Sequence, residues 1–176
     1  MSVPVAEPAR WLGETGGFWV QTSVLAVSAI AAIWIILANT KQEKRRATID
    51  LVLEQKRDAT LKEARALLTR MHESHETNLS KYLDKPESEE YRAILLVLNT
   101  HEFVASGIRE GAFDKKTYKR IRFSTLRKDW DALCAFVMEF RRVRNSRTLF
   151  QDFQWLNSRW EKKPLEADNG NPASLA

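Results

Sequence analysis

The chain has 176 residues, 29% of them charged, and a formal net charge of +5. Its 6 glycines and 5 prolines are few, and this composition favours an all-helical protein. The single cysteine, Cys134, excludes an intrachain disulfide and suits a reducing compartment. Acidic residues alternate with the basic ones along the chain, which argues against nucleic acid as the partner.

An apolar segment over residues 18–40 is the first element, and no charged residue lies between Phe18 and Ala38. As a helix it would be about 30 Å long, which matches the hydrocarbon thickness of a bilayer. Aromatic rings prefer the headgroup level, and basic residues favour the cytoplasmic side. The residues predicted to anchor this helix in the membrane are Phe18, Trp19, Trp34, Lys41, Lys44, Arg45 and Arg46.

Two other interpretations of the apolar segment are a buried core helix and a cleavable signal peptide. Core helices of small soluble domains seldom have about twenty apolar residues in succession. A signal peptide carries positive charge before its apolar run, and here only Arg10 precedes it. The basic cluster follows the segment instead. The sequence therefore predicts a single-pass membrane protein with its N-terminus outside and its C-terminal part in the cytoplasm.

The predicted organisation has four parts: an extracytoplasmic tail over residues 1–17, a transmembrane helix over 18–40, a cytoplasmic helical domain over 41–164 and a disordered tail over 165–176. Neither glycine nor proline occurs from Phe18 to Lys85, so the transmembrane helix can continue into a long juxtamembrane helix. A break between Thr40 and Thr48 is the alternative.

The juxtamembrane stretch carries apolar residues at helical spacing, which predicts one apolar face. These residues are Ile49, Leu53, Leu61, Ala64, Leu68 and Met71, and Val52 lies on a neighbouring stripe. Later helices of the same chain could cover this face, or a second copy of the chain could. Small residues spaced by four in the apolar segment, such as Ser28 and Ala32, also permit self-association in lipid.

The remaining chain predicts a small helical bundle. Residues 87–111 are apolar on all sides in their middle, which predicts a buried helix ended by Gly107 and Gly111. Asp114 is the predicted N-cap of a short helix, and Ser124 or Thr125 that of the next. Two amphipathic faces follow. The first comprises Leu126, Trp130, Leu133, Val137 and Phe140, with Asn145 as C-cap, and the second comprises Leu149, Phe153, Leu156 and Trp160.

Polar residues within these helices offer few candidates for chemistry. His72, His75 and Glu76 lie at helical spacing, but a solvated helix end explains them without a metal. Glu102 lies in an apolar stretch and needs a partner, which we expect to be an arginine or a hydrogen-bonding cluster. No nucleophile or second acid accompanies it, and no P-loop, GxSxG, HExxH or CxxC motif occurs. The sequence therefore predicts a non-enzymatic protein without a catalytic residue, cofactor or metal.

Three stretches resemble the family DUF4760, a domain of unknown function in bacterial and prophage proteins: ILLVLNTHEFVASGIREGAFD, KDWDALCAFVMEFRRVRN and FQDFQWLNSRW. The resemblance spans roughly the last two-thirds of the chain. It implies an N-terminal membrane span followed by a helical cytoplasmic region. The motif positions that it assigns, which we expect to be structural, are Asn99, Glu102, Gly107, Trp130, Arg141, Arg144 and Trp160. His101 stands where the family often has an aromatic residue, so it is not a motif position.

Because this family carries no established activity, the sequence leaves two hypotheses of function. The first is a membrane-anchored interaction or scaffold module at the cytoplasmic face of a bacterial inner membrane. Its expected partners are the lipid bilayer, an unidentified protein and, as an alternative, a second copy of the chain. The second hypothesis is a host- or phage-derived membrane effector that acts in phage exclusion or defence.

Overall fold

The computed structural model describes residues 10–11, 14–73 and 79–165, with side chains from residue 17 onward. Its elements are β1 (Arg10–Trp11), β2 (Glu14–Thr15), α1 (Gly16–Arg57), α2 (Ala59–Glu73), a 3₁₀ helix (Leu79–Asp84), α3 (Glu89–Arg109), α4 (Lys115–Val143) and α5 (Gln151–Lys162). The predicted all-α class is confirmed, with β1 and β2 only a two-residue antiparallel pair. Of the predicted disordered tail, residues 166–176 lie outside the described residues.

The chain divides into two compact units, residues 1–43 and residues 44–176. In the first unit every side chain from residue 17 to residue 43 is exposed. The hydroxyls of Ser23 and Thr40 donate to the carbonyls of Trp19 and Ile36, four residues earlier, so they are satisfied within the helix. Within the described part of the chain, one helix is long and apolar enough to cross a membrane, and it contains this segment.

The junction between α1 and α2 lies at Asp58. α1 is continuous through residues 40–48, so the predicted continuation past the apolar segment is confirmed and the alternative break there is wrong. The Asp58 carboxylate accepts a hydrogen bond from the Leu61 amide at 3.0 Å, as an N-cap does. The backbone bond from the Asp58 amide to the Glu54 carbonyl, 2.9 Å long, keeps the junction tight.

The second unit is a helical bundle with one hydrophobic core. α2 and α5 both pack against α3, and α4 contacts α5 and the 3₁₀ helix. The predicted apolar face of α2 is buried at Leu61, Ala64 and Met71. Because α3 of the same chain covers this face, it belongs to the intramolecular core rather than to a dimer interface.

The packing face of α1 in the second unit differs from the prediction. Ile49 and Leu53 remain 45% and 43% exposed, so later helices of the chain do not cover the predicted apolar face at these two positions. The buried residues are Thr48, Val52 and Gln55, which share a face at steps of four and three. The bundle therefore selects a face with two polar residues, because each of them finds a hydrogen-bond partner on α4.

α4 is one helix of 29 residues, and the predicted break before residue 126 is wrong. Ser124 and Thr125 lie inside it, because the buried face continues from Tyr118 to Leu126 and beyond. The predicted N-cap Asp114 is confirmed: its carboxylate accepts from the Thr117 amide at 2.8 Å. At the other end the C-cap is Arg144, so the prediction of Asn145 as C-cap is wrong by one position. Asn145 follows the cap with a φ of 47°, the left-handed conformation typical of the residue after a C-cap.

The two glycines predicted to end α3 have different roles. Gly111 adopts a φ of 74° just after the helix, as a terminating glycine does. Gly107 instead lies inside α3, so its assignment as a terminator is wrong. A Cβ at residue 107 would overlap the ring of Phe113, and glycine is therefore required there for packing.

Two hydrogen bonds set the direction of α4 relative to the start of the bundle. The Thr48 hydroxyl accepts from the Asp114 amide at 2.8 Å, and the Gln55 side-chain carbonyl accepts from Arg122 at 3.4 Å. The two contacts advance in the same sense along both helices, so residues 44–57 run parallel to α4. We call the end of the bundle with Lys44 and the start of α4 the proximal end, and the end with the C-terminus of α4 the distal end.

Candidate functional site

A polar cluster lies inside the bundle, with members from each of α1 to α4. We call these residues the polar cluster: Gln55, Arg65, His101, Tyr118, Arg122 and Asp129. The three members on α4 are spaced by four and seven residues, which places them on one face of that helix. The cluster therefore interrupts an otherwise apolar core with three charged side chains and an imidazole.

His101 and Asp129 form the centre of the polar cluster. His101 Nε2 lies 2.7 Å from Asp129 Oδ2, and the imidazole is 1% exposed. The imidazole stacks on the ring of Phe153, with centroids 4.5 Å apart and planes inclined by 15°. Arg65 Nη2 lies 4.0 Å from the same carboxylate oxygen, an ion pair without a hydrogen bond.

Burial sets the protonation states in the polar cluster. It lowers the pKa of His101 below the ordinary 6.5, although the Asp129 carboxylate acts in the opposite direction. Burial also raises the pKa of Tyr118 to about 12. Because a carboxylate accepts hydrogen bonds, His101 Nε2 is the donor in its contact with Asp129. Its buried Tyr118 hydroxyl and His101 Nδ1 have no hydrogen-bond partner among the described residues.

The lowered pKa of His101 has a consequence for stability. The unfolded imidazole takes up a proton near pH 6.5, whereas the folded one resists protonation. The stabilising contribution is present above pH 6.5 and is lost as the pH falls toward the folded pKa. We therefore expect the free energy of unfolding to decrease between about pH 7 and about pH 5, and urea titrations should show a flatter profile for His101→Gln. His72→Gln, at an exposed histidine, is the control, and an unchanged slope in His101→Gln would contradict the assignment.

Glu102 forms a second site, at the N-terminus of α5. Its carboxylate oxygens accept hydrogen bonds from the amides of Asp152 and Phe153, at 3.2 and 2.8 Å. Of the two expected partners, the structure has the hydrogen-bonding cluster and not the arginine. The physical reason is that Phe150, at the N-cap of α5, provides no side-chain cap, and the open amides need an acceptor. Burial nevertheless raises the pKa of Glu102.

Substitution of Glu102 should measure this capping interaction. We expect Glu102→Ala to lower the free energy of unfolding by about 1–3 kcal/mol, because two buried amides lose their acceptor. Glu102→Gln should cost less, since its amide oxygen still accepts. Chemical denaturation gives these values, and the exposed Glu110→Ala, beside the end of the same helix, should stay within about 0.5 kcal/mol of wild type. Wild-type stability of Glu102→Ala would show that the cap contributes nothing.

The other positions assigned by the resemblance mostly hold the same junction of α3, α4 and α5. Arg141 donates to the Leu149 carbonyl at 2.8 Å and to Gln154 at 2.7 Å, so it fixes the loop before α5. The Arg144 guanidinium lies 5.5 Å from the centre of the Phe140 ring. Both arginines thus contact the C-terminal part of α4 or the loop that follows it.

The two tryptophans of the motif pack in the core. Trp130 meets the ring of Phe153 edge-on, with centroids 5.0 Å apart. Trp160 is 1% exposed and lies 6.1 Å from the ring of Tyr118 and 5.8 Å from that of Phe123. Asn99 is different, because its side chain is exposed on α3.

Asn99 lines an open groove of about 660 Å³ between residues 47–61 and α3. We call it the acidic groove, because Asp50, Glu54 and Asp58 all line it. Apolar groups complete the lining, and among them the Phe103 side chain is 62% exposed. Gln55 belongs both to the polar cluster and to the lining of this groove, whereas neither His101 nor Asp129 lines it.

The predicted membrane anchors lie in or beside the exposed segment of α1. Phe18, Trp19 and Trp34 are all exposed, and Trp34 is 75% exposed. Of the basic residues, Lys41, Arg45 and Arg46 are exposed and Lys44 is half-buried. These placements suit residues at a membrane interface. The contact of these residues with a membrane remains a prediction.

Metal ligands were not expected. Among the described residues, no group of three His, Cys, Asp or Glu side chains is arranged to hold a metal ion. His72 is exposed in the last turn of α2, whereas His75 and Glu76 lie outside the described residues.

Sequence reasoning missed the polar cluster as a whole. The only local signals are a histidine inside an apolar run and the helical spacing of Tyr118, Arg122 and Asp129. Neither signal identifies the partners on α1 and α2, because helical periodicity does not specify which helices are neighbours.

Comparisons with known proteins place the chain in a family without assigning an activity. No curated protein and no solved structure matches it. Residues 22–160 match the family described as Domain of unknown function (DUF4760). The matched range contains most of the apolar segment and the bundle up to Trp160. The chain belongs to the DUF4760 family of domains of unknown function.

Proposed function

We propose that the chain is a membrane-anchored interaction module. Its apolar segment spans a bacterial inner membrane, and its helical bundle binds a partner protein at the cytoplasmic face. The observation that carries the proposal is the complete exposure of residues 17–43, where large apolar side chains have no cover in their own unit. An apolar surface of this length requires a partner, and its length and composition suit lipid.

The flanking residues support the orientation. Phe18 and Trp19 lie at the N-terminal end of the apolar segment, where aromatic rings favour the headgroup level. Lys41, Arg45 and Arg46 lie beyond its other end, and basic residues near a span favour the cytoplasm. The bundle is therefore assigned to the cytoplasm.

Alkaline carbonate extraction of isolated membranes tests the anchor. We expect the full chain to stay in the membrane pellet, and a reporter fused at Ala176 to be active only in the cytoplasm. Ile30→Lys combined with Ile33→Lys should release the chain, since each central lysine costs about 2.5–3.5 kcal/mol of insertion. Ile49→Lys combined with Leu53→Lys is the control, because both residues are exposed and the pair adds the same charge outside the span. Extraction of the wild-type chain by carbonate would refute the anchor.

The acidic groove is the proposed docking surface, and its occupant is a partner helix with basic and apolar side chains. Among the described residues, Asp50, Glu54 and Asp58 form no ion pair. Beside them the exposed Phe103 offers an apolar contact. Amphipathic helices bind to grooves of this kind through apolar anchors, and the carboxylates would select for positive charge.

A photo-crosslinking amino acid at residue 103 tests the docking surface in cells. We expect one adduct, which should disappear when Asp50 and Glu54 are both replaced by Lys. The same amino acid at Met138, exposed on another face, should give no such adduct. An adduct insensitive to the charge reversal would contradict the groove, and an adduct at twice the mass of the chain would identify a second copy as the occupant.

A further inference from the structure

The proximal end of the bundle carries a concentration of positive charge. We call five residues the basic patch: Lys115, Lys116, Lys119, Arg159 and Lys163. The lysines on α4 belong to its first turns, and the other two cations lie at and just beyond the last turn of α5. None of the five forms an ion pair with a described residue.

Contacts show that the two halves of the basic patch are neighbours. The Lys119 ammonium donates to the backbone carbonyl of Lys163 and to that of Pro164, the latter at 3.2 Å. The pKa of Lys115 is lowered, first by partial burial and then by three nearby cations. Those cations are Arg159, Lys119 and Lys163.

The arrangement opposes local stability. The N-terminus of a helix carries partial positive charge and favours acidic residues. α4 has one acid there, the N-cap Asp114, but its first turn holds none and begins with two lysines. Like charges that face each other across α4 and α5 add to this cost. Two of the five cations have a contact that offsets this cost: Lys119 donates to the carbonyls that follow α5, and the Arg159 guanidinium lies 5.7 Å from the centre of the Trp155 ring. Even so, none of the five charges is neutralised by a described carboxylate, which suits an anionic partner.

Under the proposed function, chain connectivity keeps the basic patch close to the membrane surface. Lys44, the first residue of the bundle, follows Thr40 at the end of the apolar segment by four positions. Lys44 and the start of α4 share the proximal end, where the Lys44 ammonium lies beside Gly111. Under the proposed function, this end of the bundle is tethered to the membrane by the shortest stretch of chain.

We infer that the basic patch binds anionic lipid headgroups at the cytoplasmic face of the membrane. This inference rests on the proposed membrane anchor. Negative headgroups would neutralise cations that the fold leaves unpaired, and the attraction would fix the orientation of the bundle on the bilayer. A phosphate-rich nucleic acid has the same charge, but only the membrane is held next to the patch by the chain itself.

Energy transfer in nanodiscs tests the inference with the full chain. A fluorophore is placed on Ala112→Cys, an exposed proximal position, in a Cys134→Ser background, and the acceptor is carried by lipid headgroups. We expect transfer to be about twofold higher in discs that contain phosphatidylglycerol than in phosphatidylcholine discs. High salt should abolish the difference, because exposed charges are screened.

Charge reversals give the matched comparison. Lys115→Glu combined with Lys163→Glu should remove the difference between the two kinds of disc. Lys85→Glu combined with Arg147→Glu makes the same change in net charge near the distal end and should preserve it. α4 alone separates the two ends by about 43 Å at 1.5 Å per residue.

The outcomes separate this inference from the proposed function. A chain that resists carbonate extraction but shows equal transfer in both discs would overturn the headgroup contact and leave the anchor intact. If both pairs of charge reversals lower energy transfer equally, the headgroup contact is overturned as well, because transfer would then depend on net charge alone. If added RNA shields the fluorophore at residue 112 and energy transfer does not depend on lipid charge, the patch would be assigned to nucleic acid instead.

Discussion

Replacement of Asp129 by Ala should lower the free energy of unfolding of the bundle by about 3–5 kcal/mol. The substitution removes the acceptor of the buried His101 N–H and, among the described residues, the one carboxylate that pairs with Arg65. An uncompensated guanidinium, 20% exposed in the folded chain, would then remain inside the core. Urea denaturation followed by tryptophan fluorescence measures the loss.

Asp131→Ala is the matched control, because Asp131 lies two residues further along α4 and is exposed. We expect it to change stability by no more than about 0.5 kcal/mol. Asp129→Asn should fall between the two, since its side-chain oxygen still accepts from His101. Equal stabilities of the Asp129→Ala and Asp131→Ala variants would mean that the polar cluster does not stabilise the core.

Trp160→Ala should cost a similar amount, about 3–5 kcal/mol, through the cavity that it leaves. Trp160 is 1% exposed and lies against the rings of Tyr118 and Phe123, so α5 would lose its main contact with the proximal half of α4. Differential scanning calorimetry should show a correspondingly lower Tm.

Trp155→Ala provides the comparison within α5. Trp155 is only partly buried, and the guanidinium of Arg109 lies 5.5 Å from its ring, nearer the surface. We expect its removal to cost about half as much as removal of Trp160, in proportion to the apolar area lost. The packing assignment would be wrong if Trp155→Ala proved the more damaging substitution.

Periodicity predicted most of the core because burial in a helical bundle repeats with the helix. The faces from Leu126 to Phe140 and from Phe153 to Trp160 are buried as expected. It did not identify Thr48, Val52 and Gln55 as the buried face of α1, since periodicity favours the apolar stripes of a long helix whereas its neighbours decide which one is buried. Here α4 offers Asp114 and Arg122, which bind the polar Thr48 and Gln55.

Contacts between distant residues could not be predicted from local pattern. His101 and Asp129 are 28 positions apart, and Glu102 meets the amide of Asp152 at a separation of 50. Glu102 was expected to need a partner because it is a carboxylate in an apolar stretch. The partner found is the open N-terminus of α5. It is open because Phe150 provides no side-chain cap, and no sequence pattern marks this missing cap.

The helix start predicted at Ser124 or Thr125 was wrong for a related reason. Ser124 and Thr125 resemble the start of a helix, but serine and threonine also occur inside helices when the preceding residues are already helical. The Asp114 cap is followed by 29 helical residues, and the buried ring of Tyr118 in their first turns secures the start of that helix. Tertiary packing thus overrides the local preference at residue 124.

The contribution of α5 to the core has a consequence for biosynthesis. Phe153, Leu156 and Trp160 complete the core, and the α5 amides receive the Glu102 carboxylate, so the bundle cannot close until the last helix has left the ribosome. Residues 41–163 take roughly 6–25 s to synthesise at about 5–20 residues per second. The apolar segment precedes the bundle in the chain and is synthesised first, whereas the face of α3 that packs on α5 stays uncovered until α5 is made. Under the proposed anchor, membrane targeting therefore precedes folding, and a ribosome stalled before residue 150 would leave a tethered, open bundle exposed to proteases.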